Sequence, residues 1–146
     1  LEAEKPRLQT LVLSENKVSA RGSGALCQTL LSNTTLTFLS LAGNQLGDYG
    51  ATEVASMLRL NQVAVRPSAV SAHEALIAGL ADLEEVNLVA NDIRDAGVRE
   101  LCAGTADNFT LRNLRVNGND NIGPVSKKLL VTLQQTSVSK KLRVYF

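Results

Sequence analysis

The chain has 146 residues, 45% of them hydrophobic and 3% aromatic, with 15 basic against 14 acidic side chains. That is enough apolar material for one folded domain, and the near-balanced charge gives no global attraction to nucleic acid or to an anionic membrane. No apolar run reaches the roughly 18–20 residues of a membrane span, Leu1 to Arg7 is charged rather than signal-like, and two distant cysteines suit a reducing, cytoplasmic setting better than a disulfide framework.

Read from the N-terminus, the chain repeats itself. Leu8, Leu11, Leu13, Asn16 and Val18 form an L-x-x-L-x-L-x-x-N-x-V opening, and a second opening follows 28 residues later at Leu36, Leu39, Leu41, Asn44 and Leu46. Two more begin at Leu83 and Leu111, again 28 apart, with Asn91 and Asn119 in the Asn position. Alternation in each opening predicts a short strand. The second half of each unit has its own markers: Gly22, Gly50 and Gly97, six residues after the Asn, then an apolar residue at Leu26, Val54 or Leu101. Apolar residues at helical spacing, such as Val54, Met57 and Leu58, predict a helix there. Asp48, Asp95 and Ser19 stand where an N-cap belongs and are expected to satisfy free helix N–H groups.

The period breaks in three places. Counting 28 from Leu36 predicts a unit near Ala64, but the next clear opening is at Leu83. Residues 62–82 are read as a shortened unit, with a minimal strand at Val63–Val65 ended by Pro67, then a helix from about Ser71 to Leu80; the alternative is a loop with one helix and a break in the sheet. Asn119-Asp120-Asn121-Ile122 carries one extra residue, which predicts a bulged turn. Leu142 to Phe146 reads as a closing strand or a cut one, and the whole as a single domain, a fragment of a longer protein.

In its 28-residue period, its L-x-x-L-x-L-x-x-N-x-L opening and its helix-bearing back half, the chain resembles leucine-rich-repeat proteins of the ribonuclease-inhibitor-like subclass. The resemblance implies a right-handed α/β solenoid, a horseshoe arc with a parallel sheet on the concave face and helices on the convex face. The leucines are expected to face inward, and Asn16, Asn44, Asn91 and Asn119 to form a ladder of buried amides that satisfies turn backbone.

No catalytic constellation stands out. His73 is the only histidine and has no ligand-spaced or nucleophilic company. Gly22-Ser23-Gly24 lacks the rest of a phosphate loop and is better read through Gly22, a repeat glycine. Asn33 and Asn108 fit glycosylation sequons, but both fall at the turn into the next strand, and the turn reading is preferred. No metal, cofactor or small-molecule substrate is expected.

The informative residues are those that flank the inward leucines, since side chains alternate faces along a strand. Val12, Glu15, Phe38, Ser40, Glu85, Asn87, Asn113 and Arg115 are the candidate contacts, with Phe38 and Arg115 preferred as anchors. The resemblance implies a scaffold that binds a protein partner on this face. The alternatives are a regulator of an enzyme, of inhibitor or GTPase-activating type, and a structural spacer in a larger sensor or cytoskeletal protein. Cys27 and Cys102 hold equivalent repeat positions and read as small buried hydrophobes. Thiol titration is expected to find two free thiols that react only on unfolding; finding no thiol in either state would mean a disulfide.

Overall fold

The structure, a computed structural model, describes residues 7–60, 83–106, 108–137 and 142–146. Strand and helix alternate along it: β1 (Thr10–Val12), α1 (Ala20–Leu30), β2 (Phe38–Ser40), α2 (Gly47–Leu60), β3 (Glu85–Asn87), α3 (Asp95–Thr105), β4 (Asn113–Arg115), α4 (Pro124–Thr136) and β5 (Arg143–Tyr145). The five strands pair in chain order into one parallel sheet. Helices are wider than strands, so the stack curves with the sheet on its concave face.

Each three-residue strand turns its middle side chain inward. Leu39, Val86, Leu114 and Val144 are buried there, and Leu41, Leu88 and Val116 follow them into the core. Leu11 and Leu13, in the first described layer, are only partly buried. Val54, Met57 and Leu58 are buried from the helix side, at the spacing the sequence shows. The extra residue after Asn119 is taken up in a turn at Asp120–Asn121, which returns Ile122 to the core.

Residues 61–82 lie outside the described residues, and with them the strand expected at Val63–Val65 and His73. Their neighbours nevertheless decide one question. Phe38, Leu39 and Ser40 of β2 register directly with Glu85, Val86 and Asn87 of β3. No strand therefore lies between β2 and β3, and the sheet does not break there. The helices are equally close, because a Cβ at Gly104 of α3 would collide with the Ala55 carbonyl oxygen and Cα of α2.

The Asn ladder is present, with a correction at one end. The Asn44 Oδ1 accepts the Val18 N–H at 3.0 Å, and its amide nitrogen donates to Leu13 and Leu41 carbonyls. The Asn119 Oδ1 accepts both Asn91 N–H and Ile93 N–H at 2.9 Å, while its nitrogen donates to Leu88 and Val116 carbonyls. Asn91 is fully buried, and its nitrogen donates to Leu41 and Val89 carbonyls, but its Oδ1 has no partner among the described residues. Asn16 is exposed rather than buried: no described layer stacks on that side, so it donates only within its own turn, to Leu13 and Ser14 carbonyls. The residue before each Asn adopts positive φ, at Glu15, Gly43, Ala90 and Gly118, so the turn is the same whichever side chain it carries.

The helix caps differ from the expectation. Ser19 accepts the Gly22 N–H and caps its own helix. Asp48 and Asp95 instead cap the next layer. Asp48 Oδ1 accepts the Arg94 and Gly97 N–H groups at 2.7 and 2.9 Å, at the start of α3. Asp95 Oδ1 accepts the Gly123 N–H at 2.8 Å, at the start of α4. The stacking brings each carboxylate over the neighbouring helix N-terminus, where free N–H groups and the helix dipole favour negative charge.

Cys27 is buried and Cys102 partly buried, and both are free. Burial pushes the Cys27 thiol up to about 12, with Glu53 adding to the rise, and the Cys102 thiol to about 11. Asn33 and Asn108 hold their turns: each Oδ1 accepts two N–H groups of the following strand entry, and the Asn108 nitrogen, buried, also donates to the Leu58 carbonyl.

Two stability predictions follow from the polar groups. Asn119→Ala leaves four backbone groups without their amide and is expected to cost about 1–3 kcal/mol, with Asn91→Ala costing measurably less because its Oδ1 has no partner among the described residues. Chemical denaturation compares them, and equal costs would contradict the assignment. The Ser126 hydroxyl, with the Gly123 N–H, holds the Asp95 carboxyl below its ordinary 3.8. The stability this contributes is present above that ordinary value and is lost as pH falls through the lower folded value. Asp95→Asn is therefore expected to lower the Tm at pH 6, with the gap to the parent closing below about pH 4; a gap independent of pH would remove the carboxylate from the account.

Candidate protein-binding face

The residues that flank each buried strand centre form two rows across the sheet. Thr10, Phe38, Glu85, Asn113 and Arg143 are in register in one row, and Val12, Ser40, Asn87, Arg115 and Tyr145 in the other. Pleating turns both rows away from the helices. The strands are paired across the whole width, so side chains on this face stand on a fixed backbone.

The two halves of the face differ. Toward β1 it is uncharged: Val12 is exposed and Phe38 half-buried. Toward β5 it is polar and linked. Glu85 takes the Arg115 Nε–H on one carboxylate oxygen at 2.9 Å and the Asn113 amide on the other at 3.2 Å. The Arg115 guanidinium also lies over the Tyr145 ring, 4.9 Å from its centroid. Its side chain is 43% exposed, so the ion pair with Glu85 is screened and contributes little stability. Its effect is to fix where the guanidinium points.

Most candidate contacts fall on this face, but not as a single strip. Val12, Asn87 and Arg115 share one row, whereas Phe38, Glu85 and Asn113 occupy the other. Ser40 points to the face but is buried, and its hydroxyl is bonded to that of Ser14 at 2.7 Å, so a partner does not reach it. Asn87 is partly used within the protein, since its Oδ1 accepts the Val89 N–H. Glu15 is exposed in the turn beyond β1, its carboxylate lying against Gly43 in space that a Cβ would need, and it is not a strand residue. Arg143 and Tyr145 were missing from the candidates. The alternation of Leu142 and Val144, both buried, with Arg143 and Tyr145, both exposed, is the signal that places them.

Among the described residues no group of three His, Cys, Asp or Glu side chains stands close enough to hold a metal ion. No described helix is long and apolar enough to cross a membrane.

A regular stack of strand and helix layers with an amide ladder defines a repeat solenoid. The Leucine Rich repeat family profile matches residues 32–55 and 80–102. Over 106 residues, 66% of this chain, the sequence is 37% identical to the ribonuclease inhibitor of Sus scrofa and 30% identical to that of Mus musculus. It is 29% identical over 112 residues, 70% of this chain, to NACHT, LRR and PYD domains-containing protein 5 of Homo sapiens, covering 9% of that protein. A solved structure described as Leiomodin-1 Actin-Binding Site 2 superposes with a TM-score of 0.74 at 19% identity, covering 97% of this chain and 71% of that one, a likeness of fold. The chain belongs to the leucine-rich-repeat family, in its ribonuclease-inhibitor-like form. It spans 23% of the length of each ribonuclease inhibitor.

Proposed function

We propose that the chain is a non-catalytic scaffold that binds a protein partner on the outer face of its sheet. The observation that carries the reading is the pair of registered rows, ten side chains from five strands, on a face that no described helix covers. A rigid strand loses little freedom when its side chains are engaged, so less of the interaction energy is spent on ordering. The chemistry on offer, two rings, amides, a carboxylate and two arginines, suits a protein surface. Two buried or partly buried free thiols fit a reducing compartment, and we place the protein in the cytoplasm.

The second reading is a regulator of an enzyme. Its support is the 37% and 30% identity with two proteins named ribonuclease inhibitors, one of which is a candidate model for partner choice. A ribonuclease is therefore the first protein to test as a partner, both for binding and for loss of its activity.

For a protein that binds, the paired change Phe38→Ala with Arg115→Glu is expected to weaken binding by more than about 2 kcal/mol if both are anchors. Arg99→Glu, on α3, is expected to leave binding unchanged. Titration calorimetry on variants of matched Tm gives the ranking, and a dominant helix-side effect would put the site on the convex surface. Inhibition of a ribonuclease that follows the same ranking would favour the regulator.

A further inference from the structure

We propose that Arg115 is a preset receptor for a carboxylate, so that the segment docking at the β4–β5 end of the sheet is an acidic stretch of protein. The inference rests on the sheet-face reading above and names the chemistry of its partner.

Arg115 is constrained on two sides. Glu85 holds its Nε–H at 2.9 Å, and Glu85 is itself only 20% exposed and held on its second oxygen by Asn113. The Tyr145 ring supports the flat face of the guanidinium. These contacts use one N–H and one face. The two terminal amino groups make no hydrogen bond to a described residue. They form the fork that matches two carboxylate oxygens. A guanidinium held in one orientation gives up less rotamer freedom when that fork is filled.

Charge selects the ligand further. Arg143 stands on the adjacent strand, exposed and in register with Asn113, and adds a second positive charge to this end of the face. Glu85 lies on the other side at contact distance. A singly charged carboxylate gains from both arginines at a modest cost from Glu85. The ring of Tyr145, 38% exposed, offers apolar contact to the stem of an Asp or Glu side chain.

The test uses the full chain, 15N-labelled, and two fluorescent peptides of equal length, one alternating Glu and Gly and one alternating Gln and Gly. The Glu peptide is expected to bind, to shift amide signals on β3, β4 and β5, and to weaken as salt is raised, with the Gln peptide at least tenfold weaker. Arg115→Gln is expected to lose at least tenfold in affinity, and Arg115→Lys at least threefold, because it keeps the charge and loses the fork. Equal binding by the Lys variant, or tighter binding of a phosphoserine–Gly peptide than of the Glu peptide, overturns the proposal. So does the absence of any shift at millimolar peptide. Strand signals that shift identically in the parent and in Arg115→Gln overturn this proposal and leave the sheet-face reading standing. Shifts confined to α1–α4 overturn both.

Discussion

The structure depends on the hydrogen bonding of the turn that leaves each strand. That backbone must reverse toward the helix inside the stack, away from water, and an unpaired N–H or carbonyl there costs as much as a lost hydrogen bond. In the stacked layers an asparagine supplies polar groups at that point, and Asn44 and Asn119 supply them to two layers together. Asn44 serves its own turn and Val18, and Asn119 serves its own turn and the Asn91–Ile93 segment. The aspartates at the helix starts act across layers too, Asp48 for α3 and Asp95 for α4. A layer is thus polar-complete only with a neighbour beside it. Stability in this protein resides in the interfaces between layers as much as within them.

That division explains what could be read from the residues in advance. Period, strand position, inward leucines and helix face are properties of one unit, and they are visible in the spacing of Leu36, Leu39, Leu41 and Asn44. Properties that arise between units were misread. Asp48 looks like the cap of its own helix, because spacing shows which helix a residue is in and not which helix lies beside it. Asn16 has the same motif as Asn44 but is exposed, since burial of the ladder is conferred by the stacked neighbour. The opening at Leu83 marks where the sheet resumes, but the direct pairing of β2 with β3 was out of reach, because spacing does not tell whether a strand from 61–82 would come between them.

The face shows the same limit. Alternation identifies the residues that leave the core, and Phe38, Glu85, Asn87, Asn113 and Arg115 do lie on the face turned away from the helices. It does not tell which of them is already engaged. Ser40 is taken by Ser14, and Arg115 is held by Glu85 from the neighbouring strand and Tyr145 from the next. The useful distinction on this surface is between side chains whose hydrogen bonds are complete and those held in place with capacity to spare. Ser40 is of the first kind and Arg115 of the second.

The direct junction of β2 and β3 has a consequence for how such a chain changes over time. Leu39 pairs with Val86, and α2 packs on α3 without a spacer, so the bond between these layers is made by residues outside 61–82. The register of these two layers is therefore set by their own contacts. This junction is accordingly a place where genetic insertion can lengthen or exchange sequence while the layer count and the sheet on either side stay the same. A solenoid with one such seam can acquire a new surface element without rebuilding its core.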